Sequence, residues 1–405
     1  MRSLCILWML FFMQVTWAQR KAVFIILDGI SADALEKTNT PFIDEIAAAG
    51  GYTRANTGGV KGSYNESPTI SAPGYNHILT GTWSNKHNVW DNDIREPNYN
   101  YRNIFRIAEE HNPNLKTAIF STWLDNRTKL IGDGLSQAGN IRIDYAFDGF
   151  ELDEEKFPHD ADKRYIFDID EHVSKEAARY LLEHGPDLSW VYLEYTDDMG
   201  HRFGDSPEYT EAIQLADVQV GRIWRAIQQR MQQTGEEWMI VVTTDHGRDA
   251  ATGKDHGGQS DRERTVWIST NLNKLNKRFG NGTASIDIMP SILRFMQIPL
   301  PEDLERELDG VPFIGRVSVA NLRTQQEGKK IRLTWDVLDD SGDATILMST
   351  TDYFRQGGVD VYKKIKKVKV ADGTALVKSP QSSSGDYKFV LLVPFNSINN
   401  QFVDK

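Results

Sequence analysis

Cysteine is almost absent from this 405-residue chain, whose single copy is Cys5. Disulfide bonds within one chain and metal sites built from cysteine are therefore excluded. Long apolar runs are also lacking after residue 18, where no segment reaches the roughly 20 apolar residues that a membrane-spanning helix needs. We therefore expect no transmembrane segment.

The one strongly apolar stretch lies at the start, where Arg2 precedes an apolar run that extends through Val15. Thr16-Trp17-Ala18 then forms a small-x-small cleavage pattern. These features are typical of a secretory signal peptide, whose apolar core is too short to span a bilayer. We expect residues 1–18 to be a signal peptide and the mature protein to be exported, either periplasmic or secreted.

Positive charge is in the minority, because 57 Asp and Glu outweigh 46 Lys and Arg to give a formal net charge of −11. An acidic chain gains no affinity for long nucleic acid through counterion release, which argues against that partner. The hydrophobic share of 40% and the charged share of 25% are ordinary for a globular protein. No pattern indicates an oligomeric state.

Apolar runs that alternate with helical patterns fill residues 19–312. Three of these runs predict buried strands: Lys21–Leu27, Leu188–Glu194 and Trp238–Thr243. The alternation predicts an α/β fold with a doubly wound, mostly parallel sheet. Residues 313–405 carry only short strand patterns between Gly, Asp and Ser turns, which predicts a small β-sandwich of the fibronectin type III kind. Within it, the lysines of Lys363–Lys369 indicate a protected edge strand, with a polyanion-binding patch as the alternative.

Carboxylates and imidazoles follow these apolar runs or lie in a nearby glycine-flanked loop: Asp28, Asp197, His201, Asp245, His246 and His256. Open α/β sheets bind ligands at the carboxyl ends of their strands, so we expect these groups along one edge. Imidazole and carboxylate without thiolate suit zinc, with manganese or iron possible. One metal uses at most four such groups, so six imply a two-metal site. Gly200 places Asp197 and His201 in a predicted tight turn.

A single well-presented hydroxyl, Ser71, opens a short helical pattern in which Pro73 suits the first turn. We expect Ser71 at a helix N-terminus, where backbone N–H groups and the helix dipole favour an anion. An ordinary capping serine is the alternative. The metal-ligating pattern favours a nucleophile, because metal coordination ionises a serine hydroxyl. Attack by Ser71 on a phosphoric ester would give a phosphoseryl enzyme that is then hydrolysed.

The order of these motifs resembles the alkaline phosphatase superfamily, and most closely its type I phosphodiesterase/nucleotide pyrophosphatase branch. The resemblance covers Lys21–Gln297 and rests on five separated motifs, among them Leu27-Asp28-Gly29, Leu79-Thr80-Gly81, Asp197-x-x-Gly200-His201 and Asp245-His246-Gly247. It implies an alkaline phosphatase-like fold with two zinc ions. One ion would be held by Asp28, Ser71, Asp245 and His246. The other would be held by Asp197, His201 and His256.

Two positions depart from the pattern of that branch. Ser71 stands where the branch usually has Thr, which is chemically equivalent as a nucleophile. Gly74-Tyr75 stands where the branch has Asn-His, whose Asn binds a phosphoryl oxygen, so that role passes to another group. The candidate substrate contacts are Tyr75, Asn76, Trp123 and Arg127.

The resemblance implies a zinc-dependent phosphoric ester hydrolase of phosphodiesterase or nucleotide pyrophosphatase type that acts on a small-molecule phosphate ester. An alkaline phosphomonoesterase is the alternative, because the Ser-Ala-Pro-Gly segment at Ser71 also resembles that of some bacterial alkaline phosphatases. A sulfatase is disfavoured, since Tyr75 occupies the place of the arginine in the formylglycine signal. A non-catalytic binding protein is disfavoured because all seven ligand positions are filled.

Overall fold

The structure is a computed structural model that describes residues 19–379 and 387–402. The predicted signal peptide, residues 1–18, lies outside the described residues. Among the helices of the described part, none combines the length and the apolar character that crossing a membrane requires.

A seven-stranded sheet forms the centre of the larger part of the chain. Its strands are β1 (Arg20–Leu27), β2 (Gly51–Asn56), β3 (Thr117–Ser121), β4 (Tyr145–Phe147), β5 (Leu188–Leu193), β6 (Glu237–Thr243) and β7 (Thr265–Thr270). Their spatial order is β2-β7-β6-β1-β5-β3-β4. The neighbours from β6 to β4 pair in parallel, and β7 runs antiparallel to both β6 and β2. The predicted α/β fold with a mostly parallel sheet is confirmed.

Helices cover both faces of this sheet, which is why its central strands are continuous apolar runs. The helices are α1 (Ala32–Lys37), α2 (Pro41–Ala49), α3 (Ser71–Thr80), α4 (Ser84–His87), α5 (Ile104–His111), α6 (Arg164–Glu183), α7 (Tyr195–Phe203), α8 (Pro207–Thr234), α9 (Ile288–Phe295) and α10 (Glu302–Glu305). Phe24 and Ile26 of β1 join a core with α3, α5 and α9. Ile25 and Leu27 join the opposite core with α2, α6 and α8.

Two elements differ from the sequence-based prediction. Strand β2 lies in Gly51–Glu66, where abundant Gly, Asn and Thr predict a loop. The sequence does not reveal the strand because an edge strand buries only alternate side chains and lacks a continuous apolar run. The polar sequence of Ser121–Lys129, after β3, predicts a solvated turn, yet Asn126–Ile131 forms a π-helix with three buried residues. Both differences follow from tertiary contacts that local sequence does not record.

Beyond residue 312, two antiparallel sheets share one core. Their strands are β8 (Val319–Glu327), β9 (Lys330–Val337), β10 (Asp343–Ser349), β11 (Lys363–Lys369), β12 (Thr374–Lys378), β13 (Tyr387–Leu392) and β14 (Ser397–Phe402). The four-stranded sheet has the order β11-β10-β13-β14 and the three-stranded sheet the order β12-β9-β8. This confirms a small C-terminal β domain, in which the lysine-rich β11 is an exposed edge strand. The boundary at residues 312 and 313 and the fibronectin type III assignment stay predictions.

Candidate active site

The carboxyl ends of three neighbouring strands bring the predicted ligands to one edge of the sheet. Asp28 directly follows β1, Asp245 lies two residues beyond β6, and α7, which follows β5, carries Asp197 and His201. His256 reaches the same place from the loop between β6 and β7. Parallel strands that end together account for this convergence, because their carboxyl ends share one edge.

His246 lies at the centre of a fully buried cluster. Its Nε2 atom is 3.4 Å from Asp28 Oδ1, 3.3 Å from Asp245 Oδ2 and 3.4 Å from Ser71 Oγ. The other ring nitrogen, Nδ1, donates to the carbonyl oxygen of Gly247 at 2.9 Å. This hydrogen bond fixes the ring so that Nε2 points at the two carboxylates and the serine hydroxyl.

A second cluster is nearer to solvent and is built from Asp197, His201 and His256. His201 Nε2 is 3.2 Å from Asp197 Oδ2 and 3.0 Å from His256 Nε2. The His256 ring stacks on the His246 ring with centroids 3.7 Å apart, so the two clusters are contiguous. The prediction of a tight turn here was wrong. Asp197 and His201 lie four residues apart in α7, which places both side chains on one helical face.

The chemistry of both clusters fits metal ions. Asp28 Oδ1 and Asp245 Oδ2 are buried without a hydrogen-bond partner in the described residues, an arrangement that is unfavourable unless a cation or proton compensates it. Burial opposes a charge on His246, but Asp245 and Asp28 outweigh it and raise its pKa to about 9. Two groups of residues place possible ligand atoms within 4.8 Å of one another. The first group is Asp28, Asp197 and His246, and the second is Asp197, His201 and His256.

Ser71 is the first residue of α3, as predicted, and it is buried. The helix can approach the sheet this closely because residue 74 is glycine. A Cβ atom at Gly74 would lie 2.8 Å from the Cβ of Asp245. The Ser71 hydroxyl is therefore held where the positive end of α3 meets the buried carboxylates.

A family model for type I phosphodiesterase / nucleotide pyrophosphatase matches residues 22–262, which is more than half of the chain. The matched segment contains Ser71 and all six carboxylates and imidazoles described above. The chain belongs to the type I phosphodiesterase/nucleotide pyrophosphatase family. This family is metal-dependent, in agreement with the two groups of convergent ligand atoms.

Two proteins of Schizosaccharomyces pombe are similar in sequence. An uncharacterized pyrophosphatase/phosphodiesterase is 23% identical over 261 residues, which cover 63% of this chain and 48% of that protein. GPI ethanolamine phosphate transferase 2 is 25% identical over 154 residues, which cover 33% of this chain and 20% of that protein. The chain therefore spans about half the length of the first relative and a fifth of the second.

Among solved structures, a putative sulfatase from Bacteroides thetaiotaomicron superposes with a TM-score of 0.53 at 12% sequence identity. The superposition covers 85% of each chain. A likeness at this identity concerns the fold, and it agrees with the alkaline phosphatase-like architecture that the motifs implied.

Tyr75 has a different role in this family member from the substrate contact that we predicted. Its side chain is fully buried, and its hydroxyl donates to Asp28 Oδ2. The Tyr192 hydroxyl donates to the same oxygen at 2.6 Å. Because both hydroxyls occupy Oδ2, the free oxygen of Asp28 is the one that faces His246. Tyr75 thus orients a predicted metal ligand and is withdrawn as a substrate contact.

The guanidinium of Arg127 is bound to two carboxylates, and the substrate contact predicted for this residue stays a prediction. Nε and Nη2 donate to Asp148 at 2.7 and 3.0 Å, and Nη1 donates to Asp133 at 2.9 Å. Trp123 packs its ring edge-on to Tyr75, with centroids 6.2 Å apart, and Asn76 is buried within α3. The substrate contacts predicted for Trp123 and Asn76 stay predictions.

Asn92 is a site residue for which the sequence carries no specific signal. It lies in an exposed segment after α4, and its Oδ1 accepts a hydrogen bond from the N–H of Ala72 at 2.9 Å. This contact puts the side chain in the first turn of α3, next to Ser71. The Nδ2 amide makes no hydrogen bond within the described residues, so it is free to donate to an anion beside the serine hydroxyl.

Arg248 is the second site residue that local sequence does not reveal. Its buried guanidinium donates to the carboxylate of Asp197 and to the carbonyl oxygen of Gly29 at 3.0 Å. Burial opposes the ionisation of Asp197, but Arg248 together with His201, His246 and His256 outweighs it and lowers the pKa of that carboxyl. Gly200 is required here, since a Cβ atom at that position would lie 2.1 Å from the Arg248 Cζ.

Tyr75→Phe is expected to weaken metal binding about tenfold without unfolding the protein, since partners of metal ligands contribute about 10- to 100-fold to affinity. The ring keeps its contacts with Trp190 and Tyr192, and the hydrogen bonds of the hydroxyl to Asp28 and to the Tyr192 hydroxyl are lost. Zinc affinity is measured by competition with a chelator. Tyr52→Phe, which removes a hydroxyl bound to Glu36, is the matched control. Equal affinity in both variants would contradict the orienting role.

Proposed function

We propose that the protein is a metal-dependent phosphodiesterase or nucleotide pyrophosphatase with Ser71 as its nucleophile. One observation carries the proposal: Ser71 Oγ and the carboxylates of Asp28 and Asp245 all converge on His246 Nε2 within 3.4 Å. Family membership supports the same reaction class. We also propose an exported location, on the basis of the predicted signal peptide.

We propose that two metal ions occupy the two clusters, and zinc suits their imidazole and carboxylate ligands, with manganese or iron possible. One set of ligands is Asp28, Ser71, Asp245 and His246, and the other is Asp197, His201 and His256. Such ions supply positive charge that ionises a hydroxyl and offsets the charge of phosphoryl oxygens. Two divalent cations would balance the three carboxylates and the Ser71 alkoxide, and the Arg248 guanidinium beside Asp197 adds one positive charge that suits an anionic ester.

The residues of the chain then act on the ester as follows. Ser71 Oγ forms a bond to phosphorus while the bond from phosphorus to the leaving oxygen breaks. The free Nδ2 amide of Asn92 donates to a non-bridging phosphoryl oxygen and stabilises its charge. Water then attacks the phosphoseryl group, which restores the Ser71 hydroxyl and releases the phosphoryl product.

The ion pairs made by two arginines favour a phosphodiester over a phosphomonoester as the substrate. A phosphomonoester carries one more negative charge than a diester, and it needs a further cation beside the phosphoryl group. Arg127 is paired with Asp133 and Asp148, and Arg248 is paired with Asp197. Neither arginine offers its charge to a third phosphoryl oxygen.

A substrate panel tests this proposal. We expect bis(p-nitrophenyl) phosphate to show a higher kcat/KM than p-nitrophenyl phosphate and p-nitrophenyl sulfate, with metal content determined on the same sample. Equal or faster turnover of the monoester would identify a phosphomonoesterase instead. A matching rate for the sulfate ester would identify a sulfatase, and metal-loaded protein without any turnover would support a binding protein.

A further inference from the structure

We propose that the C-terminal β domain positions Asn92 beside Ser71, a role that rests on the function proposed above. The Asn92 loop, residues 88–97, runs between α4 and the segment that leads into α5. Side chains that flank both ends of this loop contact the β domain, through Asn399 at one end and Arg355 at the other. Glu307 and Asp309, which also bind at the first end, precede that domain. The β domain is on this account part of the active-site framework rather than an independent module.

The first end of the loop is fixed through Lys86 in α4. Its buried ammonium group donates to Asp309 Oδ1 at 2.5 Å and to the carbonyl oxygen of Glu307 at 2.6 Å. A third hydrogen bond, of 2.8 Å, reaches Asn399 Oδ1 in β14. These three acceptors hold the buried ammonium group in one position. Loss of these hydrogen bonds would leave a buried charge without a partner, which is strongly unfavourable.

The second end is fixed by the connection between β10 and β11. Asn98 Nδ2 and Asn100 Nδ2 both donate to the carbonyl oxygen of Arg355, at 3.0 and 3.1 Å. The neighbouring Phe354 is 5% exposed and packs on Tyr101 with ring centroids 5.1 Å apart. Phe354 also belongs to the same buried core as α3, so a side chain of the β domain joins the core that includes the Ser71 helix.

Between these ends the loop is largely exposed. Asp91, Asn92 and Asp93 are all exposed, and the Asn92 side chain reaches α3 through its single hydrogen bond to Ala72. One hydrogen bond on an exposed side chain is too weak to fix a loop, since its net contribution is about 1 kcal/mol. The path of the loop is therefore set at its two ends, where the β domain contributes, and by Val89 and Ile94, which are buried in the core that contains α3. A displacement of about 1 Å in a group that contacts the reacting phosphoryl can cost about 10²-fold in rate.

A double-mutant cycle tests the proposal on the full chain with bis(p-nitrophenyl) phosphate. The anchor variant combines Asn98→Ala and Asn100→Ala, and it is compared with Asn92→Ala and with the triple variant. We expect Asn92→Ala to lower kcat about 10²-fold and the anchor variant to lower it about tenfold. In the triple variant the anchor substitutions should cause no further loss, because the residue that they position is gone. Metal content should be unchanged throughout.

Phe354→Leu and Phe354→Ala provide a second series, in which leucine should restore much of the kcat that alanine loses. Tyr353→Ala is the matched control, since this adjacent aromatic side chain is 51% exposed. The positioning role is overturned if the anchor variant has the wild-type kcat. It is also overturned if the anchor substitutions lower kcat by the same factor in the wild type and in Asn92→Ala. A wild-type kcat in Asn92→Ala overturns it as well. Failure of the proposed function is distinguishable, because Ser71→Ala would then remain active.

Discussion

Ser71→Ala is expected to lower kcat for a phosphodiester by about a thousandfold or more, because removing a nucleophile eliminates the reaction path that the site serves. The fold should survive, since alanine fits the first turn of a helix and the close approach of α3 to Asp245 depends on Gly74. Metal content should fall little, because three further ligands of the buried cluster remain. The measurements are kcat at saturating bis(p-nitrophenyl) phosphate, metal analysis and Tm.

Ser71→Thr is the informative companion to that variant. Threonine keeps the hydroxyl and is the usual nucleophile of the branch that the sequence resembles, so we expect activity within about tenfold of wild type. Rapid acid quenching followed by mass spectrometry should find the phosphoryl group on Ser71 in the wild type and on no residue in Ser71→Ala. Turnover by Ser71→Ala at the wild-type rate would rule out the serine nucleophile and leave direct attack by water.

Under the proposed function, the departure at Gly74-Tyr75 does not deprive the phosphoryl group of an amide donor. Gly74 is explained by the contact between α3 and Asp245, which leaves no room for a side chain. Tyr75 is explained by its hydrogen bond to Asp28. An Asn-His pair would supply an amide group at this point of the helix. Here Asn92, in the loop after α4, supplies an amide group instead. A different local sequence therefore yields a similar set of chemical groups around the serine hydroxyl.

The convergence of the proposed metal ligands could be predicted from the sequence because most of them follow apolar strands, and the carboxyl ends of neighbouring parallel strands share an edge. The turn predicted at Gly200 was wrong because glycine is a turn signal only on average. At this position it makes room for the Arg248 guanidinium within a helix. Asn92 and Arg248 carry no local signature, since their contacts with Ala72 and Asp197 join segments distant in the chain. Tyr75 could not be assigned either, because an aromatic residue in a helix has the same pattern whether it contacts substrate or a metal ligand.

Removal of metal is expected to abolish turnover and to lower Tm by several degrees. A ligand at a thousandfold excess over its Kd stabilises the folded state by about 4 kcal/mol, and that contribution is lost on chelation. Asp28 and Asp245 would then face each other with only a proton on His246 between them. Dialysis against a chelator, followed by activity and calorimetry, measures both effects, and added zinc should reverse them.

Single substitutions should separate the two clusters. His246→Ala is expected to lower the metal content from about two ions per chain to about one, as is His201→Ala. His184→Ala, at an exposed histidine remote from these clusters in sequence, is the matched control. Metal content that is the same in all three variants would contradict the assignment of two ions to these ligands.

The affinity for zinc should also depend on pH in a direction that the geometry fixes. In the metal-free protein His246 has a pKa of about 9, so it is protonated at neutral pH. Burial and the charge of His246 lower the pKa of His256 to about 4, so that ring is neutral there. A cation that binds His246 Nε2 must displace that proton, which makes binding weaker as the pH falls below about 9. For one displaced proton the apparent affinity falls about tenfold per pH unit. Affinity that is independent of pH between about 6 and 9 would mean that His246 is not a ligand. The buried carboxylates would then be neutralised by a proton, and the case for a metal-activated Ser71 would fail.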